Sequence, residues 1–192
     1  MTAPRIILGV AGASGAALGL SVARQLAVLD AEIDLVVSKA AERTLTAECG
    51  PDAWDNLQAL VTRCHAITNI GASIASGSVP VSGMIVAPCS MRTLAAIALG
   101  MDDNLLTRAA GVQLKERRRL VLLTREAPLT LAHLRNMTAA TEMGAILLPP
   151  VPAFYLNPQS VSEIIDQIAA RAIDLLAIAT PRAGQWADGS DP

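Results

Sequence analysis

Small and polar residues that could bind an anionic group recur where apolar runs of the sequence end. The run from Arg5 to Val10 leads into Gly12-Ala13-Ser14-Gly15, whose small side chains let backbone N–H groups approach an anion at the start of a helix. An ordinary turn in which Ser14 caps the helix explains the same residues equally well. The turn lacks the GxGxxG spacing of dinucleotide-binding proteins. This motif alone leaves phosphate binding and simple capping open.

Three later apolar runs also end in residues that could bind or transfer charge. Ser38 follows the second run, Ser90 to Thr93 follow a later one, and Arg125-Glu126 follow the run from Leu120 to Leu123. Each hydroxyl could be a helix cap, and an exposed Arg-Glu pair is usually a surface feature. Parallel sheets bind ligands beyond the carboxyl ends of their strands, so the coincidence at four run ends favours a binding site. An Arg there can neutralise phosphate, and a carboxylate can move a proton.

A dense basic cluster follows Asp103. We interpret Arg117, Arg118 and Arg119 as a solvated helix face, which is the usual meaning of a charge run. Arg108 and Lys115 lie about two helical turns apart, so they can share a helix face and point at one anion.

The elements that position these residues alternate between short apolar runs and longer segments of helical period. This alternation predicts a single-domain α/β fold, a Rossmann-like or flavodoxin-like three-layer sandwich with a mainly parallel sheet. Residues 1–180 are predicted to form the domain and 181–192 a polar C-terminal tail. Ser160 is a predicted cap of the last helix, and Val161 begins its apolar stripe. The predicted strands are Arg5 to Val10, Ile33 to Val37, Met84 to Ala87, Leu120 to Leu123 and Ala145 to Leu148.

Composition narrows the classes of function. A hydrophobic content of 52% with 17% charged residues is high for a soluble monomer and predicts a homo-oligomer. A net charge of -2 gives no basic field for nucleic acid. The three cysteines have no metal-ligand spacing, which favours a reduced cytoplasm and no metal site. The uncharged stretch from Ile6 to Ala23 contains four glycines, so it reads as strand, turn and helix rather than as a membrane span.

With these segments taken together, the chain resembles the UbiX/Pad1 flavin prenyltransferases. Each matching segment alone is a weak signal, but they follow one another in order through nearly the whole chain. They are Gly12 to Ala16, Ser38 to Ala41, Glu48, Ala75 to Ser78, Gly83-Met84, Ala87 to Met91, Asp103 to Leu106, Arg108 to Ala110, Leu114 to Arg117, Arg125-Glu126, Asn136-Met137 and Pro149 to Tyr155.

The resemblance implies a cofactor, a substrate and a role for each matching residue. Reduced FMN would accept a dimethylallyl group from dimethylallyl monophosphate at N5 and C6 without a metal, and a UbiD-type decarboxylase would use the prenylated FMN. Glu126 would transfer a proton, with Ser14 and Glu48 assisting, while Lys115 would stabilise the departing phosphate. The family commonly assembles as dodecamers. FMN would be bound by Gly12, Ala13, Ser14, Ser38, Ser90, Met91, Arg92, Thr93 and Arg125, and the donor by Lys115, Tyr155, Arg171 and Arg108.

Two departures and two rival functions accompany the resemblance. Val79 and Ala127 replace an aromatic residue and a threonine of many family members, which affects the prenyl pocket more than the flavin site. Flavin-dependent cysteine decarboxylases have an Asn in the segment that contains Arg92 here, and a catalytic His upstream of it. Arg92 and the absence of that His argue against this function. The charged site residues are all present, which argues against a carrier subunit without catalysis. Phe154 is predicted to pack in the core, and Trp186 is difficult to explain as a core residue and is interpreted as covering a site.

Overall fold

The sheet consists of six parallel strands. The computed structural model describes residues 3–186, and the structural statements below concern that part of the chain. The strand order is β3-β2-β1-β4-β5-β6, the Rossmann order, and it confirms the predicted α/β class. The strands are β1 (Arg5–Val10), β2 (Glu32–Val37), β3 (Arg63–His65), β4 (Gly83–Cys89), β5 (Leu120–Thr124) and β6 (Ile146–Leu147).

Helices cover both faces of the sheet. Alternate residues of β1 point to opposite sides, so that Leu8 packs in one apolar cluster and Ile7 in the other. The first cluster contains residues of α1, α2, α3 and α7, and the second contains residues of α4, α5 and α6. This arrangement confirms the three-layer sandwich. The helices are α1 (Ala16–Val28), α2 (Lys39–Cys49), α3 (Ala53–Ala59), α4 (Met91–Ala98), α5 (Leu105–Lys115), α6 (Leu131–Glu142) and α7 (Val161–Asp174).

The last helix begins as predicted, but its apolar stripe starts later. The Ser160 hydroxyl accepts a hydrogen bond from the backbone N–H of Glu163, which confirms the cap. Val161 is 71% exposed, so its assignment to the buried stripe was wrong. It lies in the first helical turn, and the stripe that packs on the core begins with the partly buried Ile164 and Ile165. Phe154 is 75% exposed in a 3₁₀ turn, so its predicted core position was also wrong.

The basic cluster after α5 is mostly structural. Arg118 donates to the carbonyl oxygens of Gly77 and Val79 at 2.6 and 3.0 Å, and Arg119 donates to that of Leu175 at 2.7 Å. The interpretation as a solvated helix face was therefore wrong for these two arginines. They lie beyond the end of the helix and join separate segments at the amino ends of the strands.

Asp34 is a fully buried carboxylate in β2. It accepts hydrogen bonds from Arg5 at 2.6 and 3.2 Å, His65 Nε2 lies 2.7 Å away, and Arg63 forms a longer ion pair with it at 3.6 Å. Burial by itself raises the pKa of Asp34, but the hydrogen bonds with Arg5 and His65 outweigh it and hold the pKa below its ordinary value. The network joins β1, β2 and β3 across the sheet.

No helix within residues 3–186 is long and apolar enough to cross a membrane.

Candidate active site

The predicted cofactor-binding residues meet at the carboxyl ends of the central strands. The strand order reverses between β1 and β4, and open parallel sheets bind ligands beyond such a reversal. The backbone N–H of Ala11 donates to Pro88 O at 3.1 Å, and that of Arg125 donates to Cys89 O at 3.1 Å. These bonds place the loops after β1, β4 and β5 side by side.

Glu48 occupies the N-terminus of α1. Its Oε2 accepts hydrogen bonds from the backbone N–H groups of Gly15 and Ala16 at 2.8 and 2.9 Å. The helix begins after Gly15, which has φ +105° and no side chain to act as a cap, so the alternative of a Ser14 cap was wrong. A carboxylate of the chain itself, rather than a phosphate, satisfies the first amides of α1.

The groups around Glu48 stabilise its negative charge. Burial by itself raises the pKa of Glu48, but hydrogen bonds from Ala16, Gly15 and the Ser14 hydroxyl, together with the positive charge of Arg125, lower it below its ordinary value. Glu48 is therefore an anion at neutral pH. The sequence suggested an assisting role for this residue, and the structure gives it these definite partners.

The turn after β1 packs closely against the start of α2. A Cβ atom at Gly12 would lie 2.3 Å from the Cβ of Ala40, so no larger residue fits without movement. The Ser38 hydroxyl accepts from the backbone N–H of Ala41, and its own N–H donates to Val10 O at 3.0 Å. Ser38 is thus a helix cap that lies beside the Gly12 turn.

The start of α4 offers backbone donors. Ser90 caps this helix by accepting from the N–H of Thr93, and its hydroxyl also donates to Thr93 Oγ1 at 3.1 Å. Within the described residues, the amides of Met91 and Arg92 have no hydrogen-bond acceptor. The Arg92 side chain forms an ion pair with Asp103. A positive helix terminus with unpaired amides is suited to a phosphate.

The residue predicted to transfer a proton and its neighbouring cation lie at the end of β5. Arg125 and Glu126 are exposed, and Glu126 Oε1 accepts from the backbone N–H of Ala127 at 3.1 Å. Thr124 was not among the predicted site residues, yet its buried hydroxyl has no hydrogen-bond partner among residues 3–186. Burial raises the pKa of the adjacent Cys89 thiol to about 12, so Cys89 is a neutral packing residue rather than a nucleophile.

Arg108 and Lys115 form a second group, away from this edge. Arg108 Nε donates to Ala75 O at 3.2 Å and its Nη1 to Asp102 at 2.8 Å, while Lys115 forms an ion pair with Glu116. Lys115 precedes β5 and Arg125 follows it, so one strand length, about 16 Å, separates their backbones. One chain therefore does not bring Lys115 to Arg125.

Tyr155 and Arg171 form a third group around a cavity of about 330 Å³. The cavity lies between α7 and residues 181–186, and none of the residues of the first two groups lines it. The Trp186 ring contacts Tyr155 edge to face, with 5.4 Å between ring centres. The predicted site residues therefore occupy three separate places in one chain. Residues 187–192 of the predicted polar tail lie outside the described residues.

Comparison with known proteins identifies the family of this chain. The Flavoprotein family model matches residues 1–173. The flavin prenyltransferase UbiX of Neisseria meningitidis serogroup B is 51% identical over 97% of this chain and 98% of its own length. The chain belongs to the flavin prenyltransferase family.

Solved structures of flavin prenyltransferase relatives have the same fold. AnUbiX (PadA1), crystallised with FMN and dimethylallyl pyrophosphate, superposes with a TM-score of 0.93 at 46% identity, covering 97% of this chain and 98% of that one. A structure from Escherichia coli O157:H7, described as a dodecameric FMN-dependent UbiX-like decarboxylase, has a TM-score of 0.90 at 42% identity, covering 95% and 99%. Membership of this family confirms the resemblance inferred from the sequence and disfavours both rival functions.

Among residues 3–186, no group of three or more His, Cys, Asp or Glu side chains is arranged to hold a metal ion.

Proposed function

We propose that this protein is a flavin prenyltransferase, which transfers the dimethylallyl group of dimethylallyl monophosphate to N5 and C6 of reduced FMN and releases phosphate. The observation that supports this most strongly is the carboxyl edge of the sheet, which brings the Ser14 turn and Glu48 together with the loop that carries Arg125 and Glu126. Its family membership makes this chemistry the expected one.

The edge residues fit FMN. The unpaired amides at the start of α4 and the hydroxyls of Ser90 and Thr93 can hold a phosphate, with Met91 in the same turn and Arg92 supplying charge. Gly12 packs so closely against Ala40 that a larger side chain would not fit at Gly12. The Gly12-Ala13-Ser14 turn and Ser38 therefore present only small side chains at this edge. The unpaired hydroxyl of Thr124 offers one more polar contact at the same edge. Reduced FMN supplies the nucleophilic atoms of the reaction.

Two carboxylates at this edge have different proposed roles in the reaction. Glu48 is fixed as an anion by the α1 amides, so it orients Ser14 and balances the charge of Arg125. Glu126 is exposed and bonded only to a neighbouring amide, so it is free to accept the proton that the flavin loses when a second bond forms. Glu126 is therefore the proposed base, with Glu48 and Ser14 in supporting roles.

The donor site is proposed to form between copies of the chain. Lys115 lies about one strand length from Arg125, and Tyr155 and Arg171 line a separate cavity. A neighbouring copy can present its cations to the flavin edge of another copy without any change of fold. The dodecameric relative and the apolar composition support such an assembly. Covering by neighbours would also exclude water from a reaction that develops allylic cation character.

The product and the setting of the reaction follow from the same proposal. Prenylated FMN is a modified cofactor rather than an end product, so a UbiD-type decarboxylase is the proposed recipient. The cytoplasm, with FMN and reduced thiols, remains the expected location.

Anaerobic incubation with reduced FMN and dimethylallyl monophosphate tests the reaction. Mass spectrometry of the extracted flavin should show FMN enlarged by one five-carbon unit. Glu126→Gln should keep FMN and lose at least about a hundredfold in rate, since general base catalysis is typically worth this much. The matched control Glu142→Gln removes a charge from the exposed end of α6 and should change nothing. FMN that stays unmodified with monophosphate and diphosphate donors would refute the proposal in favour of a carrier.

Mixed oligomers test whether copies share the donor site. Glu126→Gln and Lys115→Ala are each expected to be inactive alone. Co-expressed with different affinity tags and purified through both, they should regain part of the activity, because some sites then combine an intact edge with an intact Lys115. A mixture of Glu126→Gln with Arg125→Ala, two changes at one edge, should regain none. Equal activity of the two mixtures would contradict a shared site.

A further inference from the structure

Residues 181–186 fold back onto α7 through two side chains of that helix. The Asp174 carboxylate accepts hydrogen bonds from the backbone N–H groups of Arg182 and Ala183 at 2.9 and 3.0 Å. The Gln167 amide accepts from the N–H of Gly184 at 3.0 Å and donates to its carbonyl oxygen at 3.1 Å. Four hydrogen bonds to backbone groups hold a segment whose composition gives no reason for order.

The position of this segment builds one wall of the Arg171 cavity. Pro181 and residues 183–186 line the cavity opposite Arg171 and Tyr155. Trp186 reaches Tyr155 edge to face but remains 69% exposed, while Tyr155 is 52% exposed. Two half-exposed aromatic rings beside a cation leave apolar surface that a small ligand with an apolar chain and an anionic head would bury.

The same hydrogen bonds determine the charge of the cavity. Asp174 lies three residues after Arg171 on α7, a spacing at which an acidic and a basic side chain can pair. Both carboxylate oxygens of Asp174 are instead bonded to segment amides, and the Arg171 guanidinium has no hydrogen-bond or ion-pair partner within residues 3–186. Docking of the segment therefore leaves Arg171 available for an anion.

We infer that Gln167 and Asp174 are positioning residues for the prenyl donor, because they fix residues 181–186 so that Trp186 closes the cavity and Arg171 stays free for the donor phosphate. This inference rests on the proposed function for the identity of the donor. Neither side chain has to touch the reacting atoms, so both act on donor binding rather than on bond formation.

Docking of the segment and donor affinity are measured separately on the FMN-loaded protein. Trypsin cleavage after Arg182 reports whether the segment is docked, and calorimetry gives the dissociation constant of dimethylallyl monophosphate. Gln167→Met and Asp174→Asn remove segment bonds at nearly constant side-chain size. Both should speed the cleavage and raise the donor dissociation constant by about three- to tenfold, the range for losing bonds with a charged or amide partner. KM should rise with kcat unchanged.

Two further variants refine the test. Trp186→Ala should raise the donor dissociation constant by up to about tenfold through lost aromatic contact. Glu142→Gln, which carries the same loss of charge on another helix, should alter neither cleavage nor affinity. FMN affinity should be the same in every variant, because the flavin edge lies elsewhere in the chain.

The opposite results are equally definite. If Asp174 merely neutralised Arg171, Asp174→Asn would lower the dissociation constant, and the inference would be wrong. Faster cleavage with unchanged donor affinity would show a segment fixed for stability only, which also overturns it. Inorganic phosphate serves as a second probe. A wild-type protein that binds phosphate and donor with these variant effects but never modifies FMN would disprove the proposed reaction alone, and one that binds neither probe would disprove the inference.

Discussion

Replacing Asp34 by Asn should destabilise the protein far more than any exposed charge change. The carboxylate is fully buried and contacts Arg5 at 2.6 Å and His65 at 2.7 Å. Removing one partner of a buried charge network typically costs 3–5 kcal/mol. Arg5 and His65 keep 22% and 14% of their side-chain surface exposed, so water partly solvates them after the change and the lower end, about 3 kcal/mol, is expected.

Thermal unfolding measures this loss. For a chain of this size, a free energy of about 3 kcal/mol lowers the melting midpoint by about 6 to 12 °C. Protomer concentration must be held constant, since the midpoint of an oligomer depends on it. Glu32→Gln is the matched control, because Glu32 lies on the same strand but its ion pair with Arg63 is more than 40% exposed on both sides. Its cost should stay below about 1 kcal/mol.

The pH dependence of the difference identifies its electrostatic origin. The pKa of Asp34 is lower in the folded protein than its ordinary value of 3.8, so the carboxylate contributes stability above that pH. This contribution disappears as the pH falls through the lowered pKa. The gap between wild type and Asp34→Asn should therefore narrow as the pH falls below about 4. A gap under 1 kcal/mol at pH 7, or one that widens in acid, would refute this reasoning.

Three more predictions follow from local geometry. Gly12→Ala should weaken FMN binding and lower the melting midpoint, because the new Cβ would lie 2.3 Å from that of Ala40, and flavin fluorescence titration measures the loss of binding. Native protein treated with iodoacetamide at pH 8 should be modified at exposed Cys64 and not at Cys89, whose pKa burial raises to about 12; peptide mass mapping decides, and modification of Cys89 would contradict it. Thr130→Ala should cost about 1 kcal/mol in urea unfolding by removing the α6 cap, with no effect on prenyl transfer.

The elements predicted from the sequence were those with the strongest apolar signal. The run from Arg5 to Val10 coincides with β1, because a central parallel strand is buried on both faces and its sequence is continuously apolar. The strand Arg63–His65 was missed because it lies at an edge and two of its three residues are exposed. Its position depends on pairing with β2 and on the buried Asp34, neither of which leaves a local pattern in the sequence.

The candidate site was predictable in its chemistry but not in its distribution. Residue types at the strand ends indicated the flavin edge, and hydrogen bonds now connect its loops: Glu48 binds the start of α1, and the backbone of Arg125 binds that of Cys89. The separation of Lys115 from Arg125 depends on strand direction, since residues before and after one strand lie at opposite ends of it. The order of residues 181–186 depends on side chains of α7 whose partners are backbone groups, and such partners have no residue type to recognise.

The two edges of the sheet restrict how copies of this protein can associate. An exposed edge strand has unpaired backbone groups with which a strand of another chain can pair, and repeated pairing leads to open-ended aggregation. Here β3 has three residues and carries the charged Arg63, and β6 has only two. Neither edge offers enough unpaired backbone for a neighbouring chain to continue the ladder. Contacts between copies must then be made by helices and loops, whose shapes permit a closed assembly of fixed size rather than an endless fibre.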